Sequence, residues 1–301
     1  MCPPPGVRCF IVSKQKIMNK IIHKRQLSDS VFRLDVEAPI IARERKAGQF
    51  IILMVDDKLG ERIPLTIGDA DPVAGTITLI FQTVGATTMK LSKLNEGDYI
   101  AAILGPLGSP TSIRGENGEP AGHVVCVGGG VGVAPMHPIA KALKAAGNKV
   151  TIIMGARNKS LFVMEDEMRA IAGENLVLIT DDGSSGLKGL VTDPLKELCA
   201  SGTVDEVIAI GPPIMMKFCS LTTLPFHVKT TVSLNPIMID GTGMCGGCRI
   251  SVGGKTKFVC VDGPEFDGHQ VDWDLMIHRM GAFKPIEAKA REHVCNLYKG
   301  I

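Results

Sequence analysis

The 301-residue sequence predicts a small antiparallel β-barrel, then an α/β domain with a doubly wound parallel sheet, then a small cysteine-rich segment. Three observations predict this order. Short β-prone runs fill residues 18–114, strand-like and helix-like runs alternate over residues 123–216, and glycines and cysteines concentrate in residues 240–260. At roughly 100–200 residues per domain, the length allows two or three domains with cores of their own.

The composition is that of a globular protein and argues against two classes of partner. Apolar residues make up 45% and charged residues 21% of the chain. A net charge of +2 and 4% aromatic residues provide neither a basic patch nor stacking platforms for nucleic acid. No apolar run reaches the roughly 18–20 residues of a membrane helix, and the N-terminus lacks the apolar stretch of a signal peptide. Nine cysteines, an odd number, favour reduced thiols, so we expect a cytoplasmic protein. From the charge, the aromatic content and the apolar runs together, we expect no nucleic-acid or membrane partner.

The barrel is predicted over residues 18–118, after an unstructured tail at residues 1–17. Its strands are expected over 32–36, 50–54, 76–83 and 99–104, because these β-prone runs alternate with turn-prone segments, among them GPLGSP at 105–110. A polar, glycine-rich stretch at 114–122 marks the end of this domain.

The α/β domain is predicted over residues 119–218. Apolar strands are expected over 124–127, 149–154, 176–180 and 206–210, with helices over 135–146, 161–172 and 191–200 between them. This alternation is typical of a parallel sheet. The remaining segment, residues 219–301, contains the cysteine-rich stretch and ends in a polar helix over 285–298.

Asp240, Cys245, Cys248 and Cys260 have the spacing D-x4-C-x2-C-x11-C. Plant-type [2Fe–2S] proteins have cysteine at all four places of this pattern, so we predict such a cluster with Asp240 as its fourth ligand. A zinc site and a redox-active CxxC pair are the alternatives, although zinc sites usually combine two such pairs. Asp240 also precedes a glycine and is a good turn residue. In that case water or Cys219 would be the fourth ligand.

A glycine-rich turn, GGGVGVAP at 128–135, lies between a predicted strand and a predicted helix. Backbone N–H groups and the positive helix end at such a turn bind pyrophosphate, although a tight packing turn has the same glycines. Short polar or glycine-containing segments also follow the next three strands, at the edge where open α/β sheets bind ligands. We therefore predict a nucleotide site formed by Gly129, Gly130, Gly132, Ala134, Pro135, Gly155, Arg157, Asp181, Gly183, Gly211 and Pro212.

Two further motifs lie in the predicted barrel, RIPLT at 62–66 and GATT at 85–88. Alone, they are a strand with an exposed arginine and a turn. In order, however, the barrel, RxPLT, GxTT, GPLG, GGGxGxAP, GxR, GPP and the cysteine segment resemble the ferredoxin–NADP reductase superfamily. The chain is most similar to the small iron–sulfur flavoprotein subunits of dihydroorotate dehydrogenase B and of NADH-dependent reduced ferredoxin:NADP oxidoreductase. This resemblance covers about residues 18–280.

The resemblance implies that the barrel binds FAD. Thr66 would hydrogen-bond the flavin ring and is our candidate catalytic residue, with Pro64 and Leu65 lining the ring. Ile80, Phe81 and Gln82 match the second flavin-contacting strand, and Gly85, Thr87 and Thr88 match the pyrophosphate turn. The superfamily usually has arginine three residues before its serine or threonine. Here that place is Ile63 and the arginine is Arg62, so the phosphate that Arg62 meets is left open.

Asp240 separates the two subfamilies, because the dihydroorotate dehydrogenase subunit has cysteine there. Together with ERIPLTI and CVDGPEFD, Asp240 resembles the subunit of the ferredoxin:NADP oxidoreductase. That family implies FAD and NAD(H), a larger flavoprotein partner with [4Fe–4S] clusters, and electron bifurcation involving ferredoxin. It also implies hydride transfer between nicotinamide C4 and flavin N5, single-electron passage to the cluster, and NADH preferred over NADPH. A dihydroorotate dehydrogenase subunit, a pure electron carrier and a redox-sensing subunit are the alternatives.

Overall fold

A computed structural model describes residues 19–57 and 60–299 of the chain. The predicted tail at residues 1–17 lies outside the described residues. The N-terminal part contains β1 (Ile21–Ser28), β2 (Val31–Glu37), α1 (Pro39–Glu44), β3 (Phe50–Met54), β4 (Arg62–Asp71), β5 (Thr76–Gln82), α2 (Ala86–Leu91) and β6 (Ala102–Leu107). The middle part contains β7 (His123–Gly129), α3 (Val133–Ala145), β8 (Lys149–Ala156), α4 (Glu165–Ala172), β9 (Leu176–Thr180), β10 (Leu187–Lys188), α5 (Thr192–Ala200), β11 (Glu206–Ile210), α6 (Pro213–Thr223) and β12 (Lys229–Ser233). The last part contains β13 (Arg249–Val252), β14 (Lys255–Phe258), α7 (Val259–Asp262), β15 (Glu265–Asp267), α8 (Trp273–Met280) and α9 (Lys284–Lys299).

The first six strands form an antiparallel sheet in the order β1-β2-β5-β4-β3-β6. Its two ends meet where Lys20 bridges Tyr99 and the Ile21 amide donates to Asp98, so the sheet curls into the predicted barrel. Fully buried side chains such as Leu34, Leu53 and Leu79 fill its interior. These apolar side chains come from several strands, and their removal from water stabilises the barrel.

The last barrel strand differs from the prediction. The segment 99–104 was expected to be the strand and GPLG a turn, but β6 begins three residues later and runs through Gly105 and Pro106. Proline cannot donate to a sheet ladder, and β6 tolerates it because it lies at the edge of the sheet order. The turn signal of glycine and proline was therefore misleading here.

The second sheet has the order β10-β9-β8-β7-β11-β12-β15 and is parallel apart from β15. Successive strands are added outward from β7 to β10, and the order then reverses to β11 on the other side of β7. This reversal is the switch point of a doubly wound sheet, where a crevice opens at the carboxyl ends of the strands. The predicted α/β fold is confirmed.

One helix of this domain begins later than predicted. The helix expected over 161–172 starts at Glu165, because a 3₁₀ turn takes up Lys159–Leu161 and Met164, just before the helix, has a left-handed backbone (φ 61°). Glu165, Asp166 and Glu167 then fill the first turn of α4. Negative charge is favourable there because of the positive helix end.

The predicted domain boundary at residues 218 and 219 falls inside α6. The parallel sheet continues beyond it to β12, which pairs with β11, and β15 adds an antiparallel edge strand from the cysteine-rich segment. Residues 240–260 themselves form a loop, the hairpin of β13 and β14, and the start of α7. The cysteine-rich segment is thus attached to the α/β sheet rather than separate from it.

Helix α3 joins the two sheets. It packs on β4 of the barrel as well as on β7 and β8 of the parallel sheet. His137 of α3 lies with Nδ1 3.2 Å from the Gly68 carbonyl oxygen, and Lys141 pairs with Asp69 at 3.2 Å. The helix that begins at the glycine-rich turn therefore lies along the strand that carries RIPLT.

Candidate cofactor-binding and electron-transfer site

The glycine-rich turn lies at the switch point between β7 and β11. A Cβ added to Gly132 would lie 2.8 Å from the Gly211 Cα, and one added to Gly211 would lie 3.1 Å from the Gly129 amide. Gly132 and Gly211 are therefore required for close backbone packing. Gly130 differs, because its φ is +56° and no atom lies within 4 Å of its added Cβ. It faces open space at the strand ends, where a pyrophosphate would bind.

The other predicted nucleotide residues lie at the same edge. Gly155 is the next-to-last residue of β8 and pairs with Gly129 of β7, and the exposed Arg157 follows the end of β8. Asp181 and Gly183 follow β9, and the Asp181 amide donates to Ala156. Gly211 and Pro212 follow β11, while Ala134 and Pro135 lie in the first turn of α3. The structure thus brings every residue of this predicted set to one edge of one sheet.

The RIPLT strand presents two different faces. Ile63 and Leu65 pack into the barrel core, whereas Arg62, Pro64 and Thr66 alternate with them on the outer face. Any contact from Leu65 to a ligand on the outer face is therefore made by its backbone. Arg62, whose position the sequence left open, lies on the same face as Thr66.

The second predicted flavin strand, β5, also divides by face. Ile80 packs with Ala134 of α3, so it lies between the barrel and the nucleotide turn. Phe81 points into the barrel and stacks on Phe32 with ring centroids 6.0 Å apart. Gln82 donates to the Ser30 hydroxyl at 3.1 Å. Of these three, Ile80 lies closest to the junction of the two domains.

The GATT segment, which forms the start of α2, contacts Glu61 of the ERIPLTI motif, a residue to which the sequence analysis gave no role. The Thr88 hydroxyl accepts from the Gly85 amide at 3.1 Å and stabilises the turn, whereas the Thr87 hydroxyl donates to Glu61 Oε2 at 2.8 Å. No atom lies within 4 Å of a Cβ built on Gly85. A carboxylate therefore lies next to the predicted pyrophosphate turn, just before Arg62.

Three of the four predicted cluster donors, Asp240, Cys245 and Cys248, lie in one loop, and Cys260 lies in α7 after the hairpin of β13 and β14. The sulfur atoms of Cys248 and Cys260 lie 3.3 Å apart, and both residues are buried. Cys245 is exposed, and its sulfur accepts from the Gly247 amide at 3.4 Å. Among the residues that the structure describes, no three histidine, cysteine, aspartate or glutamate side chains lie close enough together to share one metal ion. A two-iron cluster needs only two protein donors on each iron, so a close pair plus two further donors fits that group better than zinc does.

Asp240 is both a turn residue and a well-placed donor. Its carboxylate accepts from the Thr242 amide at 2.7 Å and from the Cys245 amide at 2.6 Å. These backbone bonds, that of Thr242 first, hold the pKa of Asp240 below its usual range. An ionised carboxylate with two accepted bonds keeps lone pairs for a metal. Burial, and then the hydrogen bond from Cys248, raises the pKa of Cys260, so metal binding must displace its proton.

The remaining described cysteines and the histidines have structural surroundings. Cys219 is fully buried in α6, and burial raises the pKa of its thiol to about 12. Cys126 and Cys199 are buried as well. His123 bonds the Thr203 carbonyl and the Thr151 hydroxyl, and His269 bonds the Thr223 hydroxyl. These histidines are satisfied within the fold, as expected for structural residues.

A second residue to which the sequence analysis gave no role, Glu265 of the CVDGPEFD motif, lies between the two domains. Glu265 of β15 accepts from the Thr111 hydroxyl at 2.6 Å. Burial is the main cause that raises the pKa of Glu265 to about 7, and the nearby Glu206 carboxylate adds to it. The motif gives no sign that this glutamate is buried against Thr111, which is 154 residues away in the sequence, so only the structure reveals the contact.

Two family models match the chain. The oxidoreductase NAD-binding domain matches residues 126–220, which contain the glycine-rich edge. The iron–sulfur cluster binding domain of dihydroorotate dehydrogenase B matches residues 235–272, which contain all four predicted donors.

Whole-chain relatives agree with these models. A dihydroorotate dehydrogenase B (NAD(+)) electron transfer subunit homolog of Thermotoga maritima is 47% identical over 270 residues, covering 90% of this chain and 93% of that protein. The dihydroorotate dehydrogenase B electron transfer subunit of Streptococcus pneumoniae is 32% identical over 251 residues, covering 82% and 94%. The chain belongs to this family of electron-transfer subunits. Its members are oxidoreductase subunits, so the predicted enzyme class is confirmed.

A solved structure extends the relationship to electron bifurcation. A chain of the NADH-dependent reduced ferredoxin–NADP oxidoreductase, described for flavin-based electron bifurcation, has 45% sequence identity and a TM-score of 0.85. The match covers 92% of this chain and 97% of that chain. The predicted barrel, NAD-binding domain and iron–sulfur segment are thus confirmed for the family, which also implies a larger partner. Within residues 19–57 and 60–299, no helix is long and apolar enough to span a membrane.

Proposed function

We propose that the chain carries electrons between NAD(H), FAD and a [2Fe–2S] cluster as the small subunit of an electron-bifurcating ferredoxin:NADP oxidoreductase. The observation that carries this proposal is the position of α3. This helix starts at the glycine-rich switch point and lies along β4, whose outer face presents Pro64 and Thr66. A dinucleotide at the glycines and a flavin on β4 would therefore meet at the same junction.

Each group has a set of residues suited to hold it. Gly130 and the following turn of α3 present backbone N–H groups to the dinucleotide pyrophosphate. Arg62, Thr66 and the GATT turn face the flavin, and Arg62 provides the positive charge for a phosphate. Asp240, Cys245, Cys248 and Cys260 hold the cluster. When bound, FAD and the cluster would supply the conversion of a two-electron hydride from NADH into single electrons, by hydride transfer from nicotinamide C4 to flavin N5.

We propose NADH as the preferred dinucleotide. The support is the family relationship, because the exposed Arg157 is also suited to a 2′-phosphate and does not discriminate. A tenfold preference in kcat/KM corresponds to about 1.4 kcal/mol. Equal or greater efficiency with NADPH on the isolated subunit would contradict this assignment.

For the partner we propose a larger flavoprotein subunit with [4Fe–4S] clusters that exchanges electrons with ferredoxin, in the cytoplasm. Asp240 supports this choice over a dihydroorotate-oxidising partner, as does the match of 92% of this chain to a chain of the bifurcating enzyme. Sequence identity alone does not separate the two partners, because the dihydroorotate dehydrogenase B subunit homolog of Thermotoga maritima is 47% identical. Reduced cysteine ligands also suit a reducing compartment.

The test is anaerobic purification of the full chain, alone and with its co-purifying partner. FAD, about two irons and about two sulfides per chain, with both chromophores bleached by NADH, are expected. One zinc and no sulfide would contradict the cluster assignment. Co-purification of a dihydroorotate-oxidising flavoprotein instead would support the second candidate function.

A further inference from the structure

The cluster loop docks directly on the barrel strand that pairs with RIPLT. Gly241, next to the predicted ligand Asp240, has a φ of +74°. A Cβ built on it would lie 2.7 Å from Ile52 Cγ1 and 2.7 Å from Leu107 Cδ1. The loop backbone is therefore in close contact with the outer face of β3 and β6, and only glycine fits there.

Ile52 also belongs to the face assigned to the flavin. In the register of β3 and β4, Ile52 pairs with Pro64 and Phe50 pairs with Thr66. Paired residues of antiparallel strands project to the same side, so Ile52 lies beside Pro64 on the outer face. Ile51 and Leu53, its neighbours along β3, project into the barrel core instead.

The same contact is part of one continuous apolar core. Phe50 and Ile52 belong to the hydrophobic cluster that contains Cys248 and Cys260, while Leu107 packs against it. A second contact fixes the other end of the cluster segment, since the Ser109 amide donates to the Gly263 carbonyl at 2.7 Å. The cluster segment is thus held on the barrel at two places, at Gly241 through Ile52 and Leu107 and at Gly263 through Ser109.

Building on the proposed function, we infer that Ile52 is a positioning residue for electron transfer, which sets the spacing between the flavin face of β4 and the Asp240 side of the cluster loop. Electron-transfer rates fall steeply with distance and with gaps in packing between the two centres. Ile52 fills the space between Pro64 and Gly241, so shortening it leaves a gap on this path.

The experiment compares matched variants of the NADH-reduced holoprotein by stopped-flow absorbance. Ile52→Val and Ile52→Ala are compared with Ile51→Val and Ile51→Ala, which remove the same atoms from the next residue on the opposite face of β3. Both sites are buried, so both pairs lower thermal stability to a similar extent. Iron content, cluster EPR spectrum and FAD content are measured for each variant.

In each variant, the rate of cluster reduction is divided by the rate of flavin reduction in the same sample. We expect this ratio to fall several-fold in Ile52→Ala, less in Ile52→Val, and not at all in the Ile51 pair. The inference is overturned if Ile52→Ala, with its cluster intact, has the wild-type ratio, or if Ile51→Ala lowers the ratio equally. Failure of NADH to reduce the wild-type cluster would instead refute the proposed function itself.

Discussion

The glycine-rich turn and the cysteine loop place their ligands by different physical means. At the turn, Gly132 and Gly211 are fixed by backbone packing between two strands of a large sheet, and the binding surface is N–H groups. In the cysteine loop the donors are side chains, of which Cys248 and Cys260 are buried together while Cys245 is exposed. The nucleotide edge is therefore formed by the fold, whereas the cluster site is completed by its metal. Substitutions of the packed glycines should therefore mainly lower the stability of the fold, whereas substitutions of the cluster donors should mainly lower the iron content.

The largest effect is expected from Cys260→Ser. Removal of one sulfur from the buried pair should abolish the cluster, so iron and sulfide per chain should fall close to zero while FAD is retained. The measurement is metal and sulfide analysis of the anaerobically purified protein. Cys219→Ala is the control, because Cys219 is buried in α6. Loss of iron in that variant would identify Cys219 as a ligand instead.

Two glycine substitutions separate packing from binding at the turn. In Gly132→Ala the added methyl meets the backbone of the Ile210–Gly211 segment, so we expect a loss of about 3 kcal/mol or more in stability. Gly130→Ala has room for its methyl and carries only the backbone strain of about 1–2 kcal/mol. Its main effect should be weaker NADH binding. Thermal melts measure the stability of both variants, and NADH titrations measure their affinity for NADH. Equal destabilisation of the two variants would contradict the separation of packing from binding.

Glu265 tests whether the two domains meet through a titrating contact. Its folded pKa of about 7 lies above the ordinary 4.5, so the protonated form is favoured in the fold. Its contribution to stability is complete below about pH 4.5 and is lost as the pH rises through about 7, a change of about 3 kcal/mol. The melting temperature of Glu265→Gln should therefore be closer to that of the wild type at pH 5, and higher than that of the wild type at pH 8. A difference in melting temperature that does not change with pH would contradict this.

The smallest effect is expected at the GATT turn. Glu61 holds the Thr87 hydroxyl and places negative charge beside the predicted flavin pyrophosphate. Glu61→Gln keeps an acceptor but removes the charge, so FAD should bind several-fold more tightly, a gain of up to about 1 kcal/mol. Fluorescence titration of the flavin-free protein with FAD measures this. Weaker FAD binding in the variant would show that Glu61 supports the site.

Both sites were predictable from sequence to different depths. The four donors and the strand-end glycines follow from spacing and from the alternation of strands and helices. The face of β4 on which Arg62 lies required the strand register, and Glu61, Glu265 and Ile52 required contacts between distant segments. The course of β6 was mispredicted because a Gly–Pro pair inside an edge strand has the local signal of a turn. The predicted domain limits remain a proposal. They place the cysteine-rich segment in a unit of its own, whereas β15 of that segment pairs with β12 of the α/β sheet.

The most direct test of the account is the ligand role of Asp240, measured by iron content and EPR of the reduced protein. A carboxylate is a harder donor than a thiolate but carries the same charge. Asp240→Cys should therefore keep two irons and give a spectrum typical of four-thiolate ligation, while Asp240→Ala should lose the cluster or make it labile. If Asp240→Ala has unchanged iron, spectrum and reduction potential, Asp240 only forms the turn with Thr242 and Cys245, and the ligand lies elsewhere.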